Sequence, residues 1–212
     1  MTSGSKICAL VLTLALPAWA SASAPDAGAL IASLGRPAPA RTAFAEARFM
    51  AMLDRPLVVS GELAWLGGDR LQRTVTAPRD ERVTIADGEV TQERAGKRPR
   101  SFSLRHAPQL QGLLESFVAL LSGNAGQLGE SFAIQRQDAA GHGWSLLLTP
   151  RDARVAKAVA SIRIDGHGDE PRCMVMQEAG GDTAIDLLGP LAAKMPAAPT
   201  REGLESLCRA AP

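Results

Sequence analysis

The 212-residue chain contains no tyrosine, and only five Phe and three Trp supply its aromatic content. Its core must therefore be built mostly from Leu, Val, Ile, Ala and Met. Basic and acidic residues nearly cancel, at 23 against 22. That balance gives no general attraction to nucleic acid or to acidic membranes. Hydrolytic serine signatures are missing: there is no G-x-S-x-G, and no S-x-x-K after residue 6. The three histidines, His106, His142 and His167, have no zinc-type spacing. Each lies beside a predicted turn or element end and reads as a loop residue. Asp165-Gly166-His167-Gly168-Asp169 lacks the alternating carboxylates and closing Glu of a calcium loop, so it reads as a hairpin turn. Gly96-Lys97 lacks the rest of a phosphate loop. No cofactor, metal or catalytic constellation emerges, and the chain reads as a non-enzyme.

The amino end carries an address. Lys6 is the only charge before Asp26, Ile7 to Leu16 is an almost unbroken apolar run, and Pro17 is followed by small residues. This is the pattern of a cleavable signal peptide over residues 1–22, with Ala18-Trp19-Ala20 and Ala20-Ser21-Ala22 as cleavage motifs. The run is well short of the roughly 20 residues a membrane anchor needs. Cys8 lies too early and lacks the small residues of an acylation site. Cleavage removes Lys6, which takes the formal charge from +1 to 0. It also removes Cys8, leaving Cys173 and Cys208 as an even pair in an oxidising compartment. A single disulfide is the natural expectation; two unpaired thiols, with Cys208 in a loose tail, is the alternative.

The remaining chain, about 190 residues, suffices for one domain with a sizeable core. Residues 23–190 read as that domain, and 191–212 as an Ala/Pro-rich tail with a predicted helix at Arg201 to Cys208. A short helix is predicted from Pro25 to Gly35. From Thr42 to Leu104 apolar residues alternate with polar ones, as strands require. Asp87-Gly88 marks a hairpin. Pro108 then opens the clearest helix. Leu110, Leu113, Leu114, Phe117, Val118 and Leu121 form its apolar stripe, and Gln109, Gln111, Glu115 and Ser116 its polar side. A weaker helical turn covers Ala125 to Glu130, and strand signals resume from Phe132 to Leu188. The whole predicts about ten antiparallel strands and two or three helices: a curved sheet, or incomplete antiparallel β-barrel, covered by a helical lid. A face that the helices leave unfilled is a hydrophobic cavity. Arg94, Lys97, Arg98 and Arg100 form a basic run, read as a solvated hairpin tip or as a patch for an anionic headgroup or acidic partner.

Three motifs, in this order, resemble the periplasmic outer-membrane lipoprotein carrier family, the LolA-like proteins. They are Gly61-Glu62-Leu63 with Pro78 and Asp87-Gly88; Trp144-x-Leu146-x-Leu148-x-Pro150-Arg151; and Gly181-Asp182-Thr183 leading into Ile185 and Leu187. The resemblance spans roughly residues 38–188. It implies an incomplete barrel under a helical lid, and a cavity that shields acyl chains of lipoproteins in the periplasm. It also implies an inner-membrane release complex and an outer-membrane receptor as partners. The sequence departs from the family where Gly67 replaces a basic residue linked to lid closure. It departs again where Glu89-Val90-Thr91-Gln92 replaces an aromatic cluster. The expected protein is therefore a divergent, monomeric carrier of an acylated lipoprotein or lipid. Alternation places Phe49, Leu63, Trp65, Leu113, Phe117, Phe132, Trp144, Leu146, Met174 and Met176 along the cavity. Two other readings remain. One is an interaction or lipid-sensing module that binds a membrane protein without transport. The other is an enzyme, for which Arg73, Glu46 and His106 are the available polar candidates.

Overall fold

The computed structural model describes residues 26–139 and 143–210. The predicted signal peptide (1–22), His142 and the predicted turn at Ala140-Gly141 lie outside those residues. Helix α1 (Ala27–Leu34) starts where the Asp26 carboxylate accepts from the Gly28 N–H at 2.8 Å, and it buries Leu30, Ile31 and Leu34. Six strands follow: β1 (Ala40–Phe49), β2 (Leu57–Gly67), β3 (Arg70–Ala77), β4 (Glu81–Ala86), β5 (Glu89–Arg94) and β6 (Arg100–Ser103). The β4–β5 turn is Asp87-Gly88, with φ of 53° and 73°, the left-handed pair that a two-residue hairpin demands. After β6 come α2 (Pro108–Leu121) and α3 (Ala125–Ser131). Next are β7 (Phe132–Asp138), β8 (Gly143–Pro150), β9 (Val159–His167), β10 (Glu170–Glu178) and β11 (Thr183–Leu188). Helix α4 (Arg201–Arg209) closes the described chain, capped by Thr200.

The strands form one antiparallel sheet in the order β6-β5-β4-β3-β2-β1-β11-β10-β9-β8-β7. Among the described residues, eleven strands and four α-helices slightly exceed the expected count, and the expected architecture holds. The sheet does not close: β6 and β7 are its two edges, and α2 and α3 carry the chain from one to the other. His167 is not a loop residue. It ends β9, where it pairs with Glu170 and Gly143, and is half-buried.

Register sorts the side chains onto two faces. On the face that bears the helices, Leu146, Leu148, Ile162 and Ile164 join Leu30, Ile31, Ala119 and Leu128 in the largest apolar cluster. A smaller one gathers Val90, Leu104 and Leu114 with Val83 and Ile85. The opposite face carries a third cluster. There Ala47, Val175, Ile185 and Leu187 pack against Leu191, Leu204 and Cys208 from the segment after β11. Cys173 and Cys208 are joined by a disulfide with Cα atoms 5.6 Å apart. Residues 191–209 are thus packed into the fold, not a loose tail.

Helix α2 buries an unexpected side. Ser116, assigned by periodicity to the polar side, is buried with Gly112, Leu114 and Ala119. Its hydroxyl donates to the Gly112 carbonyl at 2.8 Å. The small residues let the helix backbone come close: a Cβ on Gly112 would stand 3.0 Å from Val155 Cγ2. Leu110, Leu113 and Phe117 consequently remain half-buried.

Gly166 shows how tightly the β8–β9 pair is fitted. Trp144 lies directly opposite it, and a Cβ there would meet the indole at 2.1 Å and the Glu170 carbonyl oxygen at 2.6 Å. Trp144 Nε1 donates to the Gly168 carbonyl at 2.7 Å, which fixes the ring in place. Gly166→Ala is expected to destabilise the protein by about 1–3 kcal/mol, the usual cost of overpacking. An unchanged urea midpoint would contradict this fit.

Candidate functional site

The helix-bearing face is where the expected cavity residues can be compared. Following the pairs Trp144–Asp138, Leu146–Ile164, Ile164–Met174, Met174–Asp186, Asp186–Glu46 and Glu46–Val59 across the sheet keeps to one face. Leu63, Trp65, Phe132, Trp144, Leu146, Met174 and Met176 all project there. Phe132, Trp144 and Leu146 are fully buried beneath the helices. Leu63, Trp65, Met174 and Met176 are half-buried, as are Leu113 and Phe117 on α2. Phe49 does not join them. It pairs with Thr183 on the opposite face, packs near the third cluster, and has the Arg201 guanidinium 5.7 Å from its ring centroid. The reason is parity. Phe44 and Phe49 are five residues apart on one strand, so they must point to opposite sides. Phe44, passed over in the sequence reading, is the one on the helix-bearing face, and it is buried.

Between the two apolar clusters of this face runs a band of charge. Glu46 Oε2 accepts from Arg73 at 2.8 Å and Glu46 Oε1 from Arg48 Nε at 3.3 Å. Arg48 also donates to Glu178 at 2.7 Å. The Arg73 guanidinium stacks 4.7 Å above the Phe44 ring. Directly opposite Glu46 stands Asp186, only 5% exposed, and Met174 lies beyond it. Asp186 has no hydrogen-bond partner among the described residues. Burial, reinforced by the Glu46 charge and only partly offset by Arg73 and Arg48, pushes its carboxyl up to about 7. Of the three polar candidates, Glu46 and Arg73 are therefore ion-paired on this face. His106 lies in a 3-10 turn after β6 and is exposed.

Sequence reasoning missed the band because its members look ordinary in their own strands. Glu46 and Arg48 alternate with Ala45 and Ala47, as the exposed side of a strand would. Asp186 sits between Ile185 and Leu187, which points it away from the apolar face those two build. Only the β1–β11 pairing brings them together.

Two clefts open at the surface. One, of about 300 Å³, lies at the start of α2 between Asp87, Glu89, Leu104, Arg105, Leu114 and Glu115. The other, about 200 Å³, lies on the β1–β2 loop beside Phe49, Leu53, Arg55 and Arg201. No group of three or more His, Cys, Asp or Glu among the described residues is arranged to hold a metal. No described helix is long and apolar enough to cross a membrane.

The sequence profile described as "Outer membrane lipoprotein carrier protein LolA-like" matches residues 19–211. No curated protein matches the sequence. Among solved structures, the chain is similar to a LolA superfamily protein from Nitrosomonas europaea. The identity is 11% and the TM-score 0.42, over 76% of this chain and 89% of that one. A DUF1329 family protein from Desulfovibrio piger shares 10% identity, with a TM-score of 0.39, over 77% and 88% of the two chains. A chain of the Pseudomonas aeruginosa MucA/MucB complex shares 16% identity, with a TM-score of 0.34; 83% of this chain covers 58% of that one.

Proposed function

This chain belongs to the outer membrane lipoprotein carrier LolA-like family, and on that premise we propose that it is a non-enzymatic periplasmic carrier. Its cargo is an amphiphile, either an acylated lipoprotein or a free lipid, whose chains are shielded on the helix-bearing face during transfer towards the outer membrane. One observation carries this reading. Leu63, Trp65, Leu113, Phe117, Met174 and Met176 remain half-buried on or over a single face, where a fully packed core would bury them. Each methylene taken from water there contributes roughly 0.8 kcal/mol, so a long chain is held without a specific polar contact. Methionine suits such a lining because its unbranched thioether adapts to chains of different shape. A release complex at the inner membrane and a receptor at the outer membrane are the partners such a route needs. A signal over residues 1–22 and a carrier body from residue 23 that includes the packed segment 191–209 go with it.

Native mass spectrometry of gently purified protein is the test. The expected spectrum contains an adduct of lipid mass that is lost on activation, and the protein should protect a fluorescent fatty acid from water. Bare protein with no probe protection defeats the proposal.

A second reading has its own support. Phe132, Trp144 and Leu146 are buried beneath the helices, while Met52 is 81% and Leu53 39% exposed on the β1–β2 loop. A filled interior with outward apolar residues suits a module that binds a membrane-protein partner without transport. A pull-down that recovers a stable protein complex free of lipid favours it over the carrier.

A further inference from the structure

The charged band has an unequal balance of partners. It holds three carboxylates, Glu46, Glu178 and Asp186, against two guanidiniums, Arg48 and Arg73. Both arginines are engaged by Glu46, and Arg48 by Glu178 as well. Asp186 alone is left, more than nine-tenths buried, with no donor. A buried carboxyl without a donor is costly, and a ligand that brings one removes that cost. With every group ionised the band carries one net negative charge. A cationic head neutralises it, whereas an anionic head doubles it. The donor that fits is an ammonium group, which offers three N–H bonds and a positive charge.

We propose that Asp186, with Glu46 beside it, is a receptor for the primary ammonium group of an amphiphile whose chain lies along the apolar residues of the helix-bearing face. The assignment rests on the carrier reading and names the head group of its cargo. Leu63 is directly opposite Arg73 on the β2–β3 pair, and Met174 is directly opposite Asp186, so apolar surface adjoins the band on both sides. Met174 is half-buried beside Asp186 on the neighbouring strand, and its unbranched side chain can adjust to admit the head. The charged groups facing Asp186 are Glu46 and Arg48 from β1 and Arg73 from β3. Glu178 on β10 reaches it through Arg48. Docking an ammonium ionises Asp186, so binding releases a proton.

Isothermal titration of the purified protein with dodecylammonium, dodecanoate and neutral dodecyl glucoside, each below its micellar concentration, tests this. Dodecylammonium is expected to bind at least about tenfold more tightly than the other two. Its affinity should rise between pH 5.5 and pH 8 with release of up to about one proton. Asp186→Asn should abolish both the preference and the proton release. The wild-type ranking decides the case even where the variant does not fold. Equal affinity for all three heads overturns the ammonium receptor and leaves the carrier intact. No binding of any dodecyl chain overturns the carrier and this inference with it. A preference for lysophosphatidylethanolamine over lysophosphatidylglycerol places the ammonium on a phospholipid; a preference confined to the alkylamine places it on a simple amine.

Discussion

Asp186→Asn is expected to make the protein more stable at pH 8 and to leave its stability nearly unchanged at pH 4. The carboxyl is buried opposite Glu46 and is pushed up to about 7, against an ordinary 3.8. The unfolded chain gives up this proton near 3.8, whereas the folded protein keeps it until about 7. The folded state thus binds more protons across that window. Its stability therefore falls as pH rises from about 4 to about 7, and the full penalty persists above. The difference amounts to at most about 4 kcal/mol. Asparagine has nearly the same shape and nothing to ionise, so it escapes the penalty. At pH 8 the melting temperature should rise by roughly 10 °C for a chain of this size. The comparison must run over pH, because the gap between the two proteins should open through that window. A gap that is constant with pH, or absent at pH 8, would show that Asp186 is not held as described. A gap that opens through the window gives this residue an unfavourable effect on stability beside a favourable one on binding, as sites that await a ligand often have.

The double substitution Cys173→Ala and Cys208→Ala should have the opposite effect, a loss of about 4 kcal/mol at any pH. The bridge closes a loop of 35 residues, and loop-closure entropy alone gives that magnitude. The structure gives the loss a location. Cys173 is on β10, and Cys208 is in the last turn of α4. The helix is otherwise held to the sheet by Leu204 and Leu207, by Arg201 over the Phe49 ring, by Arg172 donating to the Ala210 carbonyl, and by an ion pair between Glu205 and Arg163 at 3.5 Å. Without the bridge, α4 should open before the sheet does, exposing Ile185 and Leu187. Hydrogen exchange of residues 201–209 in the double variant should approach that of an unprotected chain, and the urea midpoint should fall. Matching midpoints in oxidised wild type and double variant would refute this account. So would α4 amides that remain protected.

Much of this molecule could be read before its fold was known, and the exceptions have a common cause. Local signals were reliable. Helices form where they were predicted, at 27–34 and 201–209, Asp87-Gly88 makes its hairpin, and the two late cysteines meet. Parity within one strand was also legible, and it places seven of the eight expected strand residues on one face. Phe49 failed because β1 carries aromatic residues at an odd spacing, and one strand alone does not say which of them faces the helices. The side of α2 that docks was obscured for a different reason. Hydrophobicity ranks Leu and Phe above Gly, Ser and Ala, but close helix packing selects the small residues. Of the charged band only Glu46 and Arg73 were named in advance, and nothing in the sequence joined them to each other or to Asp186. Its members come from β1, β3, β10 and β11, and placing Glu46 opposite Asp186 contradicts the usual avoidance of like charges across a strand pair.

The strand order also dictates a sequence of assembly. Strands β1 to β6 form a meander of neighbours, and β7 to β11 form another, so most pairing is between segments adjacent in the chain. A single seam joins the two halves, and it unites the first strand with the last, Phe44 with Leu188 and Phe49 with Thr183. A chain made from its amino end exposes one bare side of β1 until the final strand arrives. Anything that delays or removes β11 leaves two half-sheets, each with an extra open edge ready to pair with the wrong strand. The residues that hold the charged band in place therefore assemble only in the finished molecule.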